Sequence, residues 1–349
     1  MKKKELKDIK KVLEKQQYAI VGNHSGVQVC LWTKNSLNKK GVCWKEKFYG
    51  IRSHQCCQFS PAVMWCENSC LHCWRPIELN LGKEIPENKI NNPKEIIDGV
   101  IEARKRLLEG FKGNKKVSRK KLGEAFEPKL FTMSLSGEPT IYPYIGGLVD
   151  EIRKRRAVSF IVTNGLNPEK IKELADNKQL PTQLVVSVNA PNKQLFNIWH
   201  NSKKKDAWDK LNKTLELLKE LKGKTRRVVR LTLVKKSNEE NPKEGKKKLK
   251  HISNMNEEHA DEYVQLIKKA EPDFVHIKGY KGLGFARHRM GYDKQPTFYE
   301  VRRFVELLLK ELKKEKETKE YKILAKDERS CVFCLGKSKR GMKINMKKV

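Results

Sequence analysis

The sequence predicts an α/β protein built on a partial, TIM-like (β/α)6 barrel that follows a cysteine-bearing N-terminal extension. From about residue 93 onward, short apolar segments alternate with longer segments whose apolar residues recur every three or four positions. This alternation predicts strands joined by helices, and therefore a parallel sheet with right-handed crossovers. Six βα units are present when a strand before Cys66 is counted, and six units suggest a partial barrel.

The individual elements follow from the hydrophobic period, which is near 3.6 residues in a helix and 2 in a strand. A charged helix is expected first, over residues 5–17. Further helices are expected at residues 93–111, 145–155, 168–176, 205–221, 259–270 and 296–314. Strands are expected at residues 130–135, 158–162, 184–188, 227–234 and 274–278. We therefore divide the chain into an extension (1–60), a barrel (61–325) and a basic C-terminal tail (326–349), disordered from residue 337.

The composition indicates a polyanionic partner. The 349 residues include 76 Lys and Arg against 42 Asp and Glu, which gives a formal net charge of +34. Such an excess favours nucleic acid binding, whereas a thermophile surface would carry more balanced charge. A Lys-rich proteome is the other alternative. No apolar run reaches transmembrane length and no signal peptide is evident, so we expect a cytoplasmic protein with no membrane span.

One stretch carries the clearest chemical signal. Cys66, Cys70 and Cys73, called the first triad below, have the spacing C-x3-C-x2-C. Three thiolates on one loop can hold three irons of a [4Fe–4S] cluster and leave the fourth iron open to a substrate or cofactor. The alternative is zinc, whose ligands usually come as two separate C-x2-C pairs.

Three more cysteines, Cys30, Cys43 and Cys56, are called the second triad below and are spaced 13 residues apart. Cysteines in a reducing compartment are better interpreted as metal ligands than as disulfides. The second triad is therefore a candidate for a second cluster, although ordinary packing cysteines are the default for such wide spacing. We expect Cys57 and the lone pair Cys331 and Cys334 to be structural.

Polar residues follow the predicted strands, and in a barrel of this kind the functional groups gather at the carboxyl ends of strands. These candidates are Gly137, Glu138, Thr163, Asn164, Ser187 and Asn189. A carboxylate at Glu138 can accept hydrogen bonds from an ammonium group, although ordinary turns and helix caps also use these residue types. Arg230, a charge within an apolar strand, is a candidate for binding a carboxylate.

The first triad resembles the signature of the radical S-adenosylmethionine (SAM) enzymes, with His72 where that family usually has an aromatic residue before the last cysteine. The resemblance implies that the open iron binds the amino and carboxylate groups of SAM. One electron then cleaves SAM to methionine and a 5′-deoxyadenosyl radical. It also implies that Gly137 and Glu138 contact the SAM amino group. Thr163, Asn164, Ser187 and Asn189 are then candidates for binding its ribose or carboxylate.

A closer resemblance, to the tRNA 4-demethylwyosine synthases, covers roughly residues 15–330. The segments that carry it are Cys43-Trp44-Lys45, Tyr49-Gly50-Ile51-Arg52-Ser53-His54 and Cys70-Leu71-His72-Cys73-Trp74-Arg75-Pro76. It implies a lyase that condenses N1-methylguanosine, next to the anticodon of tRNA-Phe, with two carbons of pyruvate. It also implies a second [4Fe–4S] cluster and an external one-electron donor. No flavodoxin-like segment is evident, so the chain resembles the short archaeal form, and we expect a monomer.

Lys45 is the residue on which the resemblance bears most. A lysine amine with a lowered pKa can condense with a keto acid as a Schiff base, and the resemblance implies this role. Alternatively, pyruvate binds the second cluster directly, or Lys45 is simply one solvated lysine among many.

Two other functions remain open from the sequence. One is a different radical SAM reaction on RNA, such as methylation or methylthiolation, and the second triad could then serve a sulfur-donating cluster. A zinc-containing RNA-binding protein would bind neither iron nor SAM. Aromatic and basic residues can stack on bases and meet phosphates. The candidate RNA contacts are Lys112, Lys115, Lys116, Arg119, Lys120, Lys121, Lys203, Lys204, Lys205, Lys243, Lys246, Lys247, Lys248, Lys250 and the segment 279–289.

Overall fold

The structure is a computed structural model and describes residues 3–237 and 249–345. Within these residues, one sheet contains the strands β1 (Tyr18–Val21), β2 (Ser25–Gln28), β3 (Cys56–Ser60), β4 (Leu130–Met133), β5 (Val158–Thr163), β6 (Gln183–Ser187), β7 (Arg226–Leu233), β8 (Phe274–Gly279), β9 (Lys322–Asp327) and β10 (Val332–Gly336). Their order is β1-β2-β3-β4-β5-β6-β7-β8-β10-β9.

The centre of the sheet is parallel and its two edges are antiparallel. Strands β3 to β8 pair in parallel with their neighbours in chain order, which confirms the six predicted units. The β1–β2 hairpin adds to β3, and β10 pairs with both β8 and β9, all antiparallel. These four antiparallel strands, β1, β2, β9 and β10, were not predicted.

The helices of the described chain are α1 (Lys3–Lys15), α2 (Leu31–Leu37), α3 (Trp44–Tyr49), α4 (Pro93–Glu109), α5 (Arg119–Ala125), α6 (Ile145–Lys154), α7 (Pro168–Asp176), α8 (Lys193–His200), α9 (Ala207–Glu220), α10 (His259–Ala270), α11 (Ala286–Met290) and α12 (Phe298–Leu312). The predicted helices are present to within a few residues at each end. Local sequence defines their starts: Asn92 and Glu95 form a capping box at α4, and Thr297 and Glu300 form another at α12. No helix among the described residues is long and apolar enough to cross a membrane.

The two faces of the sheet are buried by different elements. Successive side chains of a strand point to opposite faces. One face joins the large core formed with the long helices, for example through Phe131 and Ile277. The opposite, inner face packs in a smaller core against Phe48 and Tyr49 of α3. Because α3 covers the inner face, it carries its own Lys45 into the barrel interior.

Two expected boundaries differ from the structure. Strand β3 ends at residue 60, so the expected extension contributes the first parallel strand and a hairpin of the same sheet. The expected tail contains β10, which holds the buried Cys334. The prediction of disorder from residue 337 is wrong for residues 337–345, because Met342 is buried and Ile344 donates a backbone hydrogen bond to Tyr49. Residues 346–349 lie outside the described residues.

Candidate functional site

A cavity of about 390 Å³ lies where the parallel strands end. It is bordered by the loop that carries the first triad and by the segments after β4 to β8. The first triad lines this cavity, and so does every predicted cofactor-binding residue: Gly137, Glu138, Thr163, Asn164, Ser187, Asn189 and Arg230. The fold therefore brings together residues that are up to 164 positions apart in the sequence.

The loop of the first triad is held by its backbone. The Cys66 amide donates to the Gly82 carbonyl at 2.9 Å, and the Ser69 and Leu71 amides donate to carbonyls of α8, also at 2.9 Å. Across the loop, the Arg289 guanidinium donates to the Leu71 carbonyl at 3.2 Å. These contacts use the backbone of the loop, so the cysteine side chains are not needed to hold it in place.

The donor set of the first triad fits an iron–sulfur cluster. Burial raises the pKa of the Cys66 thiol, with a further contribution from Glu67, and burial also raises the pKa of the Cys70 thiol. A metal must therefore displace protons here, as thiolate ligation requires. In the described part of the chain, no three His, Cys, Asp or Glu side chains converge on a single metal ion. In a four-iron cluster each cysteine binds a different iron, so its ligands need not converge in that way.

Glu138 is buried and held by four hydrogen bonds. It accepts from the Thr163 hydroxyl at 2.7 Å, the Asn164 amide at 2.7 Å, and both the hydroxyl and the amide of Thr140. Burial is the main cause that raises the pKa of Glu138 to about 7, and the nearby Glu67 carboxylate adds to it. The hydrogen bonds act in the opposite direction and lower the pKa. The carboxyl group is thus oriented before any ligand arrives.

Gly137 has a structural reason to be glycine. Its φ is +74°, and an added Cβ would lie 1.6 Å from the carbonyl oxygen of Ala62. The Glu138 amide also donates to the Trp65 carbonyl at 2.8 Å. The strand end and the first-triad loop are therefore in direct backbone contact, which only glycine permits here.

Glu67 is a site residue that the sequence did not identify. It is buried and accepts hydrogen bonds from Asn164 at 3.1 Å and Asn167 at 2.8 Å. It also forms an ion pair with Lys204 at 3.4 Å. Lys204, predicted as an RNA contact, instead binds within this network and donates to the Asn167 side chain at 2.8 Å. The only available signal was the position of Glu67 directly after Cys66.

The second triad comes from three separate elements. Cys30 precedes α2, Cys43 precedes α3, and Cys56 begins β3. The pKa of the Cys43 thiol is raised to about 11, mainly by burial. The Lys45 ammonium lowers this pKa, and the thiols of Cys30 and Cys56 raise it further. The fold thus gathers three cysteines that are 13 residues apart in sequence, and this donor set again fits a cluster.

Lys45 lies among the cysteines of the second triad. Its amine is 3.5 Å from the Cys56 sulfur and donates to the Thr132 hydroxyl at 3.4 Å. Burial lowers the pKa of Lys45, but the thiolates of the second triad outweigh burial and the pKa lies above its ordinary value. The lowered pKa expected of a Schiff-base lysine is therefore not found. A metal bound to these thiolates would remove part of the negative charge that raises it.

Arg230 and Asn189 border the cavity on the β6–β7 side. The Arg230 guanidinium donates to the Ser187 hydroxyl at 2.8 Å, and its buried Nε has no hydrogen-bond partner within the described residues. Burial, reinforced by Arg75, lowers the pKa of Arg230 to about 10. Asn189 accepts from the Thr232 amide at 3.1 Å and contacts the His72 ring nitrogen at 3.2 Å. These contacts join the strand ends to the first-triad loop.

Two further cavity residues were missed in the sequence. His200 at the end of α8 contacts the Cys70 sulfur through Nδ1 at 3.2 Å, and burial lowers the pKa of His200 to about 3. Lys278 ends the predicted strand 274–278 and lines the cavity. Lys278 had the same signal as Arg230, a charge within a strand, whereas His200 had none because α8 was not predicted.

The predicted RNA contacts lie on more than one side of the molecule. The run from Lys112 to Lys121 lies between α4 and the amino end of β4, away from the cavity. The segment 279–289 follows the carboxyl end of β8, and its residues Tyr280, Lys281 and Leu283 line the cavity. Lys243, Lys246, Lys247 and Lys248 lie outside the described residues.

Comparison with known proteins identifies the relatives of this chain. The model of the radical SAM superfamily matches residues 61–249, and the model of wyosine base formation matches residues 269–337. The S-adenosyl-L-methionine-dependent tRNA 4-demethylwyosine synthase of Pyrococcus abyssi is 43% identical over 87% of this chain and 83% of the relative. Its counterpart in Methanocaldococcus jannaschii is 31% identical over 97% of this chain and 98% of that protein.

Solved structures agree with these matches. A structure of TYW1 with a lysine–pyruvate adduct bound is 29% identical, with a TM-score of 0.78 over 97% of this chain and 98% of the other. A crystal structure of archaeal TYW1 matches with a TM-score of 0.69 at the same coverage. The resemblance predicted from the cysteine motifs and the predicted partial barrel are both confirmed. The radical SAM match implies that the protein binds SAM and a [4Fe–4S] cluster.

Proposed function

The chain belongs to the family of S-adenosyl-L-methionine-dependent tRNA 4-demethylwyosine synthases, and we propose that it condenses N1-methylguanosine of tRNA-Phe with pyruvate. The product is the tricyclic base 4-demethylwyosine. The observation that carries the proposal is the position of Lys45 relative to the cavity. Lys45 donates a hydrogen bond to Thr132 of β4, and Ser134, two residues later in the chain, lines the cavity. Residues two positions apart in an extended chain share a face, so Lys45 lies on the side of β4 that leads to the cavity.

The first triad is the proposed ligand set for the cluster that acts on SAM. When bound there, this cluster supplies the electron that cleaves SAM to methionine and a 5′-deoxyadenosyl radical. The protein contributes the oriented Glu138 carboxyl group for the SAM amino group. Thr163, Asn164, Ser187 and Asn189 are the proposed contacts of its ribose or carboxylate. The guanidinium of Arg230, whose Nε has no partner among the described residues, is available for a carboxylate.

Lys45 is the proposed site of pyruvate. Its amine attacks the ketone carbon, and loss of one water molecule leaves an imine between Lys45 and the keto acid. The lysine–pyruvate adduct in the TYW1 structure supports this assignment. The second triad is the proposed ligand set for a second [4Fe–4S] cluster beside this imine. Two pyruvate carbons enter the base and the carboxyl carbon leaves, so the enzyme is a carbon–carbon lyase.

Other partners follow from the same proposal. A tRNA substrate is implied by the family, and the segment 279–289 at the cavity is the proposed contact surface. The cleavage of SAM consumes one electron, which an external donor must supply. We further propose that the enzyme acts in the cytoplasm as a monomer.

The test is product formation from labelled pyruvate. The reconstituted enzyme, SAM, a reductant and methylguanosine-containing tRNA should incorporate two carbons of uniformly ¹³C-labelled pyruvate into the base, measured by mass spectrometry of nucleosides. Lys45→Arg retains the charge but cannot form the imine, so it should give no product. Product that lacks the label would overturn the proposed function. Full activity of Lys45→Arg would overturn the imine and favour direct binding of pyruvate by the second cluster.

A further inference from the structure

We propose that Lys278 binds the carboxylate of the keto acid held at Lys45 and thereby orients the carbon that reacts. The inference rests on the proposed role of Lys45 and adds a second lysine with a different task. Lys45 would form a bond to the carbonyl carbon of the substrate, and the Lys278 ammonium would bind the negatively charged carboxylate of the substrate.

The position of Lys278 follows from the alternation of side chains in β8. Its neighbour Ile277 packs in the large core on the helix-covered face, so Lys278 points to the inner face and lines the cavity. In the sheet it lies opposite Thr232 of β7, which also lines the cavity. The register of β7 and β8 therefore determines where this ammonium lies.

The same lysine approaches the helix that carries Lys45. Its ammonium lies 5.8 Å from the ring centroid of Trp44, the residue next to Lys45 in α3. The Trp44 ring is also packed edge-on against His276 of β8, with 4.9 Å between ring centroids. Strand β8 and helix α3 are thus in contact at this point, and the two lysines enter the barrel interior from different elements.

Lys278 has no anionic partner within the described ranges. Burial, reinforced by Arg230, lowers the pKa of Lys278 to about 8. The cations Arg230 and Lys45 lower the pKa of Lys278, and the thiols of Cys43 and Cys331 raise it. A partly buried ammonium among other cations is unfavourable unless an anion joins it. A small keto acid supplies that anion, since its carboxylate is bonded directly to the carbonyl carbon that Lys45 would attack.

Reductive trapping can distinguish recognition of the substrate carboxylate from attack of Lys45 on the carbonyl group. The reconstituted holoenzyme, without SAM or tRNA, is treated with sodium cyanoborohydride and either pyruvate or acetone, which is a ketone without a carboxylate. Peptide mapping by mass spectrometry then quantifies the adduct at Lys45. The variants are Lys278→Met, Lys278→Gln and, as a control, Lys326→Met, which removes an exposed lysine of β9.

We expect Lys278→Met and Lys278→Gln to raise the half-saturating pyruvate concentration by roughly tenfold or more. This is the usual loss of affinity when a charge-assisted hydrogen bond is removed. Acetone trapping and iron content should be unchanged, and Lys326→Met should match the wild type. Lys278→Arg should restore part of the preference for pyruvate over acetone. Because the preference is a ratio measured at one lysine, a partly unfolded variant would lower both adducts alike.

The possible failures are distinguishable. Equal pyruvate trapping in the wild type and both Lys278 variants would overturn the role of Lys278 and leave Lys45 untouched. Loss of acetone and pyruvate trapping together, in variants that retain the iron content of the wild type, would also overturn it, because the effect would not concern the carboxylate. Absence of any Lys45 adduct in the wild type would instead contradict the proposed imine.

Discussion

The two cysteine triads of this protein have opposite electrostatic surroundings. The first triad stands near two buried carboxyl groups, Glu67 and Glu138. The second triad surrounds Lys45, and Lys278 is close to its Cys43. Carboxyl groups attract a cationic ligand and lysines an anionic one. This difference matches the proposed ligands, because SAM carries a sulfonium and pyruvate a carboxylate. Two similar sets of thiol ligands can thus be given different tasks by their neighbours.

The triads also differ in how the chain builds them. The first triad lies on one eight-residue loop, and the backbone of that loop holds it in place. The second triad depends on α2, α3 and β3 coming together. A local motif can be recognised from its spacing alone, whereas the second triad exists only once the inner face of the sheet is covered by α3.

The strongest separation of the two triads should come from removing one cysteine of each. We expect Cys66→Ala to lower reductive cleavage of SAM by roughly a hundredfold or more, since loss of a ligand exceeds the usual effect of an outer-shell change. Cys43→Ala should still produce 5′-deoxyadenosine but no tricyclic base. Both products can be measured by liquid chromatography after reduction with dithionite. An equal loss of SAM cleavage in both variants would refute the division of tasks.

Gly137→Ala tests the contact between the first-triad loop and β4. The added Cβ would meet the Ala62 carbonyl oxygen, so we expect a loss of about 3 kcal/mol in the free energy of unfolding, from steric conflict plus backbone strain. Gly223→Ala is a matched control, because Gly223 has φ +80° but no atom within 4 Å of the added carbon. It should cost about 1–2 kcal/mol. Chemical denaturation would measure both, and equal costs would mean that the close contact is unimportant.

Glu138→Gln tests the acidic surroundings of the first triad through pH. The pKa of Glu138 rises from 4.5 to about 7 in the folded protein. Between these values the folded state binds more protons than the unfolded state, so stability falls as pH rises. From pH 5 to pH 8, the wild type should lose about 2 kcal/mol relative to Glu138→Gln. Urea denaturation at several pH values measures this difference. If the wild type instead became more stable than Glu138→Gln as the pH rises, the folded protein would favour the ionised carboxylate.

The smallest expected effect concerns tRNA. Lys281→Ala/Arg287→Ala, on the segment beside the cavity, should weaken tRNA binding about fivefold and reduce the salt dependence, because each phosphate contact adds to that slope. Lys115→Ala/Lys116→Ala removes the same charge at the amino end of β4 and should change affinity less. Filter binding at several salt concentrations compares them. A larger effect from the second variant would place the docking surface on the opposite side.

Local patterns predicted most of the barrel and the first triad. Helix caps, apolar periods and polar strand ends are all encoded by neighbours in the sequence, which is why the residues from Gly137 to Arg230 were found. The pairs β1–β2 and β9–β10 were not, because each joins the parallel strands through a partner that is distant in the sequence. The expected tail is part of the sheet for the same reason.

The missed site residues share another cause. Which face of β8 is the inner one depends on register, so the sequence could not distinguish Lys278 from a solvated lysine at a strand end. Glu67 and Lys204 meet only after the loop of the first triad folds against the segment after α8. His200 required α8 itself. In each case the chemistry depends on a long-range contact that has no local signature.

The most direct test of the central claim, that each triad holds its own cluster, is a count of iron. After anaerobic reconstitution with iron and sulfide, the wild type should contain about eight irons per chain. Cys30→Ala/Cys43→Ala/Cys56→Ala and Cys66→Ala/Cys70→Ala/Cys73→Ala should each retain about four. About four irons in the wild type, unchanged when the second triad is removed, would contradict the claim and leave a radical SAM enzyme with a single cluster.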